Sequence, residues 1–506
     1  MADLLHNVYF GFSIALQPMN ILYCLMGVLI GTLVGVLPGI GPNAAMAILL
    51  PMTYQLDPVP AIIAMAGIYY GAMYGGSTTA ILVNIPGEAA SVITTLDGYK
   101  LALAGRAGPT LGICAFSSFI AGTISVLGLM LVAPPMARFA LEFGPPEYFS
   151  MIILGMLLLI YLSSGSVSKA LAMAALGIML SVIGTDIITG SGRFHFGIPA
   201  LMDGLGIIPI IMGLFGISEV FFNLESEIKN SNTQIIKVGR LLPTLQDWRD
   251  SKWAIVRGTL IGFFLGVVPG GGAILASFAS YTVEKKLSKH PEKFGHGVME
   301  GVAAPEAANN SATGGAFIPA LTLGIPSNAV MVMILATLMV HNVQPGPLLI
   351  KNHPELFWGV VTSMYVGNVM LLILNLPLIG LWLQILKIPY RILFPLIILF
   401  CVVGVYSINN SIFEINVMIA FGVLGYVFRK AGYETAPIVL AFLLGPIMEN
   451  ALRQSLIMAD GSFAIFVTRP LSAVFLVTSA LLVIISAIPF IRQKRDLVGQ
   501  EGAKNA

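Results

Sequence analysis

Residues 27–41 read GVLIGTLVGVLPGIG, an apolar run with glycine at every fourth position that ends in a Pro-Gly-x-Gly break. Proline removes a helix hydrogen bond, and backbone left unpaired at membrane depth is tolerated only where it is buried in protein or lines a wet cavity. The break therefore marks an interior feature rather than a lipid-facing span. A second copy lies 231 residues on, where residues 258–272 read GTLIGFFLGVVPGGG. Nine of the fifteen aligned pairs are identical, and five of these are glycines and one the proline. Apolar segments align easily, but glycines and a proline in register point to duplication.

The composition fixes the solvent. Of 506 residues 57% are hydrophobic and 10% charged, against about 25% charged in a soluble domain. Mean hydropathy is +0.90. Apolar runs at 110–133, 147–162, 203–223, 356–376 and 471–490 have membrane-helix length, without the alternation of a β-barrel. The expected fold is an all-α polytopic membrane protein. A net charge of +2 without a dense Lys/Arg run excludes nucleic acid as a partner. Cys24, Cys114 and Cys401 lie far apart in apolar stretches and are expected to pack as small hydrophobes, not as a disulfide or zinc framework. The N-terminus lacks a basic n-region and an A-x-A-like cleavage site, so no removable signal peptide is expected.

Further echoes follow. YGGSTTAILVNIPGEAA (74–90) resembles TGGAFIPALTLGIPSNAV (313–330), with Gly75-Gly76 set against Gly314-Gly315 and Ile85-Pro86 against Ile325-Pro326, one residue of gap between them. The expected organisation is a first membrane half over 1–223, a polar connector over 224–253, a second membrane half over 254–490 and a cytoplasmic tail over 491–506. Broken helices or re-entrant hairpins interrupt both halves. The loop at 284–296 carries four lysines, and its counterpart at 53–60 none. The positive-inside rule then sets the two loops on opposite sides of the membrane, as an inverted repeat requires.

Paired discontinuous helices in related halves are the sequence pointer to a transporter's binding site. Half-helix N-termini attract anions, and freed carbonyls hold cations. Small polar residues cluster at these breaks. Asn43, Ser77, Thr78, Thr79, Gly87, Asn309, Asn310, Ser311, Ser327 and Asn328 are the candidate substrate-binding residues. Pro38, Gly39, Asn84, Glu88, Gly270, Glu306 and Gly314 are candidates for a coupling ion, with sodium the only metal considered and no other cofactor expected.

The bland readings stand beside these. Gly27, Gly31 and Gly35, with Gly258, Gly262 and Gly266, have the small-xxx-small spacing of tight helix packing, which is the better reading for them. Consecutive amides at Asn309 and Asn310 in an apolar segment need partners, which favours a site. Glu88 and Glu306 should face a cavity or lie near an interface, since a mid-span charge facing lipid costs at least ~2.5–3.5 kcal/mol. For Glu88 both placements stay open. No Lys or Arg falls in either group of breaks, so an anionic substrate would be neutralised by helix ends, amides and a co-transported cation. The histidines show no metal spacing and are given no role.

GVLPGIGP, YGGSTTAILVNIPGEAAS with LDGYKLALAGRAG, and GVVPGGGAILASFASY followed by GVMEGVAAPEAANNSATGGAFIPALTLGIPSNA resemble the large membrane subunit of the tripartite tricarboxylate transporter family, over roughly 10–490. The resemblance implies a multi-pass secondary transporter of the bacterial inner membrane. It would import citrate or other carboxylates with sodium ions or protons by alternating access, alongside a small membrane subunit and a periplasmic solute-binding protein. The competing reading is an ion channel or pore-forming subunit, because broken helices also build filters. The chain lacks a P-loop, H-E-x-x-H or G-x-S-x-G context, so no enzyme is expected.

Overall fold

The computed structural model describes residues 2–37, 41–162, 166–186, 189–227, 238–385 and 390–487. The expectations for Pro38 and Gly39, for residues 228–237 of the connector and for the tail lie outside them. The first half runs α1 (Ala2–Ala15), α2 (Pro18–Val36), α3 (Gly41–Thr53), α4 (Pro58–Val83), α5 (Val92–Leu101), α6 (Ala107–Ala140), α7 (Pro145–Leu162), α8 (Val167–Ser181), α9 (Ile207–Ile211) and α10 (Ser218–Glu227). Next come α11 (Leu245–Val267), α12 (Gly272–Leu287), α13 (Glu300–Leu323), α14 (Ala329–Val340), α15 (Leu349–Asn352) and α16 (Pro354–Asn375). The chain ends with α17 (Ile379–Ile385), α18 (Tyr390–Asn409), α19 (Ile412–Lys430), α20 (Ala436–Met458), α21 (Ile465–Thr468) and α22 (Pro470–Ala487). Among the described residues the only sheet is a two-stranded hairpin, β1 (Gly184–Thr185) with β2 (Gly192–Arg193), and seven helical stretches are long and apolar enough to cross a membrane. The fold is all-α and polytopic.

Two compact units form, one from residues 1–137 and 219–400, the other from 138–218 and 401–506, so each draws on both sequence halves. In the first unit the glycine spacing is a packing device. A Cβ on Gly27, Gly31 or Gly35 of α2 would strike the carbonyls of Ala64, Ile68 and Ala72 on α4. A Cβ on Gly258, Gly262 or Gly266 of α11 would strike those of Ala304, Ala308 and Ala312 on α13. In lipid, where no hydrophobic force draws helices together, such close approach supplies the van der Waals contact that holds the pair.

The duplication holds to the residue. α2 ends at Val36 and α11 at Val267, each followed by an extended residue ahead of a proline, because the residue before proline is steered out of the α region. The following helices α3 and α12 both open on a left-handed glycine, Gly41 (φ 64°) and Gly272 (φ 55°). α4 ends on left-handed Asn84 and α13 on left-handed Gly324. The structure corrects one detail of the repeat. Gly75 packs against Thr32, Gly35 and Val36, and it is Gly315, not Gly314, that packs against the matching Phe263, Gly266 and Val267. The second block therefore repeats at 240 residues throughout, without a gap, and Gly314 instead admits Ser125 of α6.

In the second unit α8 packs on α20 with Gly177 beneath the Ile438 carbonyl, and α7 meets α22 through a 2.7 Å bond between the hydroxyls of Ser150 and Ser472. The β1–β2 hairpin is tied to α20 by charge: Arg193 and Arg453 both hold Asp186, and both also reach Glu449, at 3.0 and 2.6 Å. Cys24, Cys114 and Cys401 are all buried free thiols.

Candidate functional site

Beyond left-handed Asn84 the chain doubles back along α4. The Gly87 N–H donates to the Gly76 carbonyl at 3.3 Å, and a Cβ on Gly87 would collide with the Gly35 carbonyl, so only glycine fits. Glu88 then starts the next helix: its Oε2 accepts from the Ala90 N–H at 2.7 Å, while Ser91 returns a bond to the Glu88 backbone. The side chain lies against Gly76, 8% exposed, with Oε1 unpaired. Glu88 is thus buried within the protein rather than facing lipid.

Glu306 is fully buried in the second turn of α13. Its Oε2 accepts from the Ser77 hydroxyl of α4 at 2.6 Å and its Oε1 from the Thr94 hydroxyl of α5 at 2.5 Å. The two carboxylates therefore flank consecutive residues of α4, Gly76 and Ser77, and the start of one short helix, α5. Among the described residues neither has a Lys, Arg or His ion-pair partner. One turn on, Asn309 keeps a buried, unpaired Nδ2. Asn310 spends its Nδ2 on Ser118 of α6 (2.8 Å), on the Glu306 carbonyl and on the Asn309 Oδ1.

The second break is built on the same plan with different side chains. Asn328 caps α14 by accepting from the Met331 N–H at 3.0 Å, and its Nδ2 donates to the Tyr69 hydroxyl of α4 at 2.9 Å. Gly270 (φ 83°) donates its N–H to the Ser327 carbonyl at 2.8 Å, tying the Pro-Gly break to the Ile-Pro break. The Ser327 hydroxyl is fully buried and unpaired. Tyr69 and Ser77 lie eight residues apart on one helix, about 12 Å, so α4 connects the two groups.

The other expected residues fall around these. Asn43 sits half-buried on the first turn of α3 with Oδ1 unpaired. Thr78 is buried, and Thr79 returns its hydroxyl to the Gly76 carbonyl at 3.0 Å. Ser311 donates to the Thr259 carbonyl at 2.7 Å and so belongs to the α11–α13 contact.

Sequence reasoning passed over Thr94, Tyr69, Ser118 and Asp97. Asp97, fully buried on α5 one turn after Thr94, accepts from the N–H groups of Gly295 (2.9 Å), Gly297 (2.7 Å) and Val298 (3.0 Å) and from the Tyr281 hydroxyl (2.8 Å). Only its being acidic among apolar neighbours could have flagged it. Its ligands lie 184–201 residues away in sequence.

Of the ten buried side-chain atoms that lack a partner among the described residues, three belong to residues beside a break, Asn43, Glu88 and Ser327, and a fourth, Asn309, lies inside the unbroken α13. An unpaired buried polar atom costs about 1–3 kcal/mol, which makes the Glu88 Oε1, the Asn309 Nδ2 and the Ser327 hydroxyl groups with unused hydrogen-bonding capacity in the interior.

The profile of the family described as "Tripartite tricarboxylate transporter TctA family" matches residues 21–440. An uncharacterized 52.8 kDa protein in the TAR-I ttuC' 3' region of Agrobacterium vitis is 50% identical over 498 residues, covering 98% of this chain and 99% of that one. An uncharacterized protein in the TAR-II ttuC' 3' region of the same organism is 52% identical over 237 residues, which is 47% of this chain and 98% of its own length. No solved structure matches.

Proposed function

Because the chain belongs to the tripartite tricarboxylate transporter TctA family, a family of membrane transport proteins, we propose that it is the large subunit of a bacterial inner-membrane importer for carboxylates. It works by alternating access, coupled to sodium ions or protons, with a small membrane subunit and a periplasmic solute-binding protein that delivers the substrate. The observation that carries this reading is the pair of unpaired buried polar atoms at the two breaks, the Glu88 Oε1 and the Ser327 hydroxyl, with no Lys, Arg or His buried among the described residues. A carboxylate is met at the second break by the Ser327 hydroxyl and the N-terminus of α14, whose dipole favours negative charge. The coupling cation offsets the charge of substrate and glutamates together.

We read the halves as inverted. The repeat-equivalent helices α4 and α13 support this, since Ser77 meets Glu306 while Tyr69 meets Phe317, so sequence number rises along one helix as it falls along the other. Inverted halves exchanging conformations around a fixed site give alternating access.

The test is uptake of a labelled di- or tricarboxylate into proteoliposomes that hold the chain with its small subunit and binding protein. Saturable flux that needs an imposed cation gradient and the binding protein supports the reading. Ohmic conductance without them would overturn it in favour of a pore.

A further inference from the structure

The two breaks share one backbone plan, yet at equivalent positions they differ in charge. At the 240-residue register Glu88 corresponds to Asn328, Glu306 to Ala66, and Ser77 to Phe317. The helix ends differ as well. α13 is closed by two backbone bonds, from the Gly324 N–H to the Ala320 carbonyl at 3.1 Å and from the Ile325 N–H to the Pro319 carbonyl at 3.2 Å. At the matching end of α4 neither the Asn84 N–H nor the Ile85 N–H closes on the last turn. The buried terminal carbonyls of α4 keep their negative end open. The rims differ in the same sense: Ile85 is 39% exposed and Ile325 is 4% exposed.

We infer that the chain binds one monovalent coupling cation, sodium, at the first break, with the free Glu88 carboxylate oxygen as a ligand, and that the second break holds no equivalent ion. Three features there call for positive charge: the unpaired Oε1 of Glu88, the neighbouring Glu306, and the open carbonyl end of α4. The second break offers an amide, a hydroxyl and a closed helix end, which suit the anionic substrate. Duplication thus supplied two related scaffolds, and differences in side chains and in helix-end closure divided the work. Glu306, both of whose oxygens already accept hydroxyl bonds, positions Ser77 and Thr94 around the ion and leaves Glu88 as the open carboxylate.

The inference rests on the transport reading, and its test needs neither carboxylate nor binding protein, so the two fail separately. The purified full-length chain in lipid nanodiscs is titrated with sodium chloride at constant ionic strength against choline chloride, near neutral pH, and its thermal unfolding is followed. We expect a saturable, sodium-selective rise in midpoint with a Hill coefficient of about one. Glu88→Gln weakens apparent sodium affinity about tenfold or more, since removing a charged oxygen ligand lowers the affinity of a hard-cation site. Asn328→Ala leaves sodium affinity within about twofold. If Glu88→Gln does not fold, Glu88→Asp, which retains the carboxylate, is the variant measured and is expected to fold with weakened sodium affinity. No sodium-selective response in the wild type overturns the inference. So does a wild-type response in the folded Glu88 variant, a coefficient near two that Asn328→Ala reduces to one, or a response to pH alone, which would make the coupling ion a proton.

Discussion

The Ser77 hydroxyl on α4 donates to the Glu306 carboxylate on α13 at 2.6 Å, joining the two duplicated helices across the interior. A typical intramolecular hydrogen bond contributes about 0.5–1.5 kcal/mol. This one is doubled by Thr94 at 2.5 Å. Glu306 is therefore held from two helices of the first half while it stands on the second.

Glu306→Gln keeps the shape and replaces the carboxyl group by an amide. Uptake in proteoliposomes should fall at least about tenfold, the equivalent of 1.4 kcal/mol, while membrane abundance stays near wild type. Ser77→Ala, which leaves the Thr94 bond, should lose less. Full uptake in Glu306→Gln would remove that residue from the site.

Asn309 and Ser311 are close in sequence but different in role. Asn309→Ala should depress uptake at unchanged abundance, because its Nδ2 has no other partner. Ser311→Ala breaks the bond to the Thr259 carbonyl and should lower the unfolding midpoint, changing uptake only in proportion to folded protein. Quantitative immunoblotting beside initial uptake rates separates the two.

Gly31→Ala and Gly262→Ala should destabilise alike, by about 1–3 kcal/mol, the usual cost of overpacking, because each Cβ would be driven into the backbone of the partner helix, at Ile68 and at Ala308. Thermal unfolding in detergent measures both. A neutral Gly262→Ala beside a damaging Gly31→Ala would contradict the equivalence of the two packings.

Asp97→Ala leaves three backbone N–H groups and the Tyr281 hydroxyl without their acceptor. The lysine-rich loop before α13 should loosen, and limited trypsin digestion at Lys293 should run several-fold faster than in wild type. An unchanged digestion rate would show that Asp97 does not fasten that loop.

The N-terminus of α11, in the polar stretch ahead of its apolar part, gives a pH dependence. Burial alone would raise the carboxyl pKa of Asp247, but bonds from the Thr244 backbone, from Arg106 and from the Thr244 hydroxyl outweigh it and hold the group below its ordinary value. A depressed folded-state pKa means that the stabilisation is present above the unfolded value and is lost as pH falls through the folded one. Wild type should thus lose stability below the ordinary carboxylate range, and Asp247→Asn, already weaker by about 1 kcal/mol as for a lost cap, should show a shallower decline. Unfolding midpoints across that acid range check the slope.

The sequence alone determined the Ile-Pro interruptions after α4 and α13 and which glycines pack, because proline acts on its own backbone and a four-residue spacing fixes one helix face. The breaks expected at Gly75-Gly76 and Gly314-Gly315 are not there, since α4 and α13 run through both pairs, which serve close packing instead. The sequence also excluded a lipid-facing mid-span position for Glu306, leaving a cavity or an interface, and the structure buries the residue fully between α4, α5 and α13. Tertiary structure alone decided that Gly75 matches Gly315, that Glu88 folds back on Gly76 with one oxygen free, and that Asp97 collects donors from a loop some two hundred residues away. Those relationships depend on which helices meet after the chain has folded, and a hydrogen-bond partner remote in sequence leaves no local pattern to read.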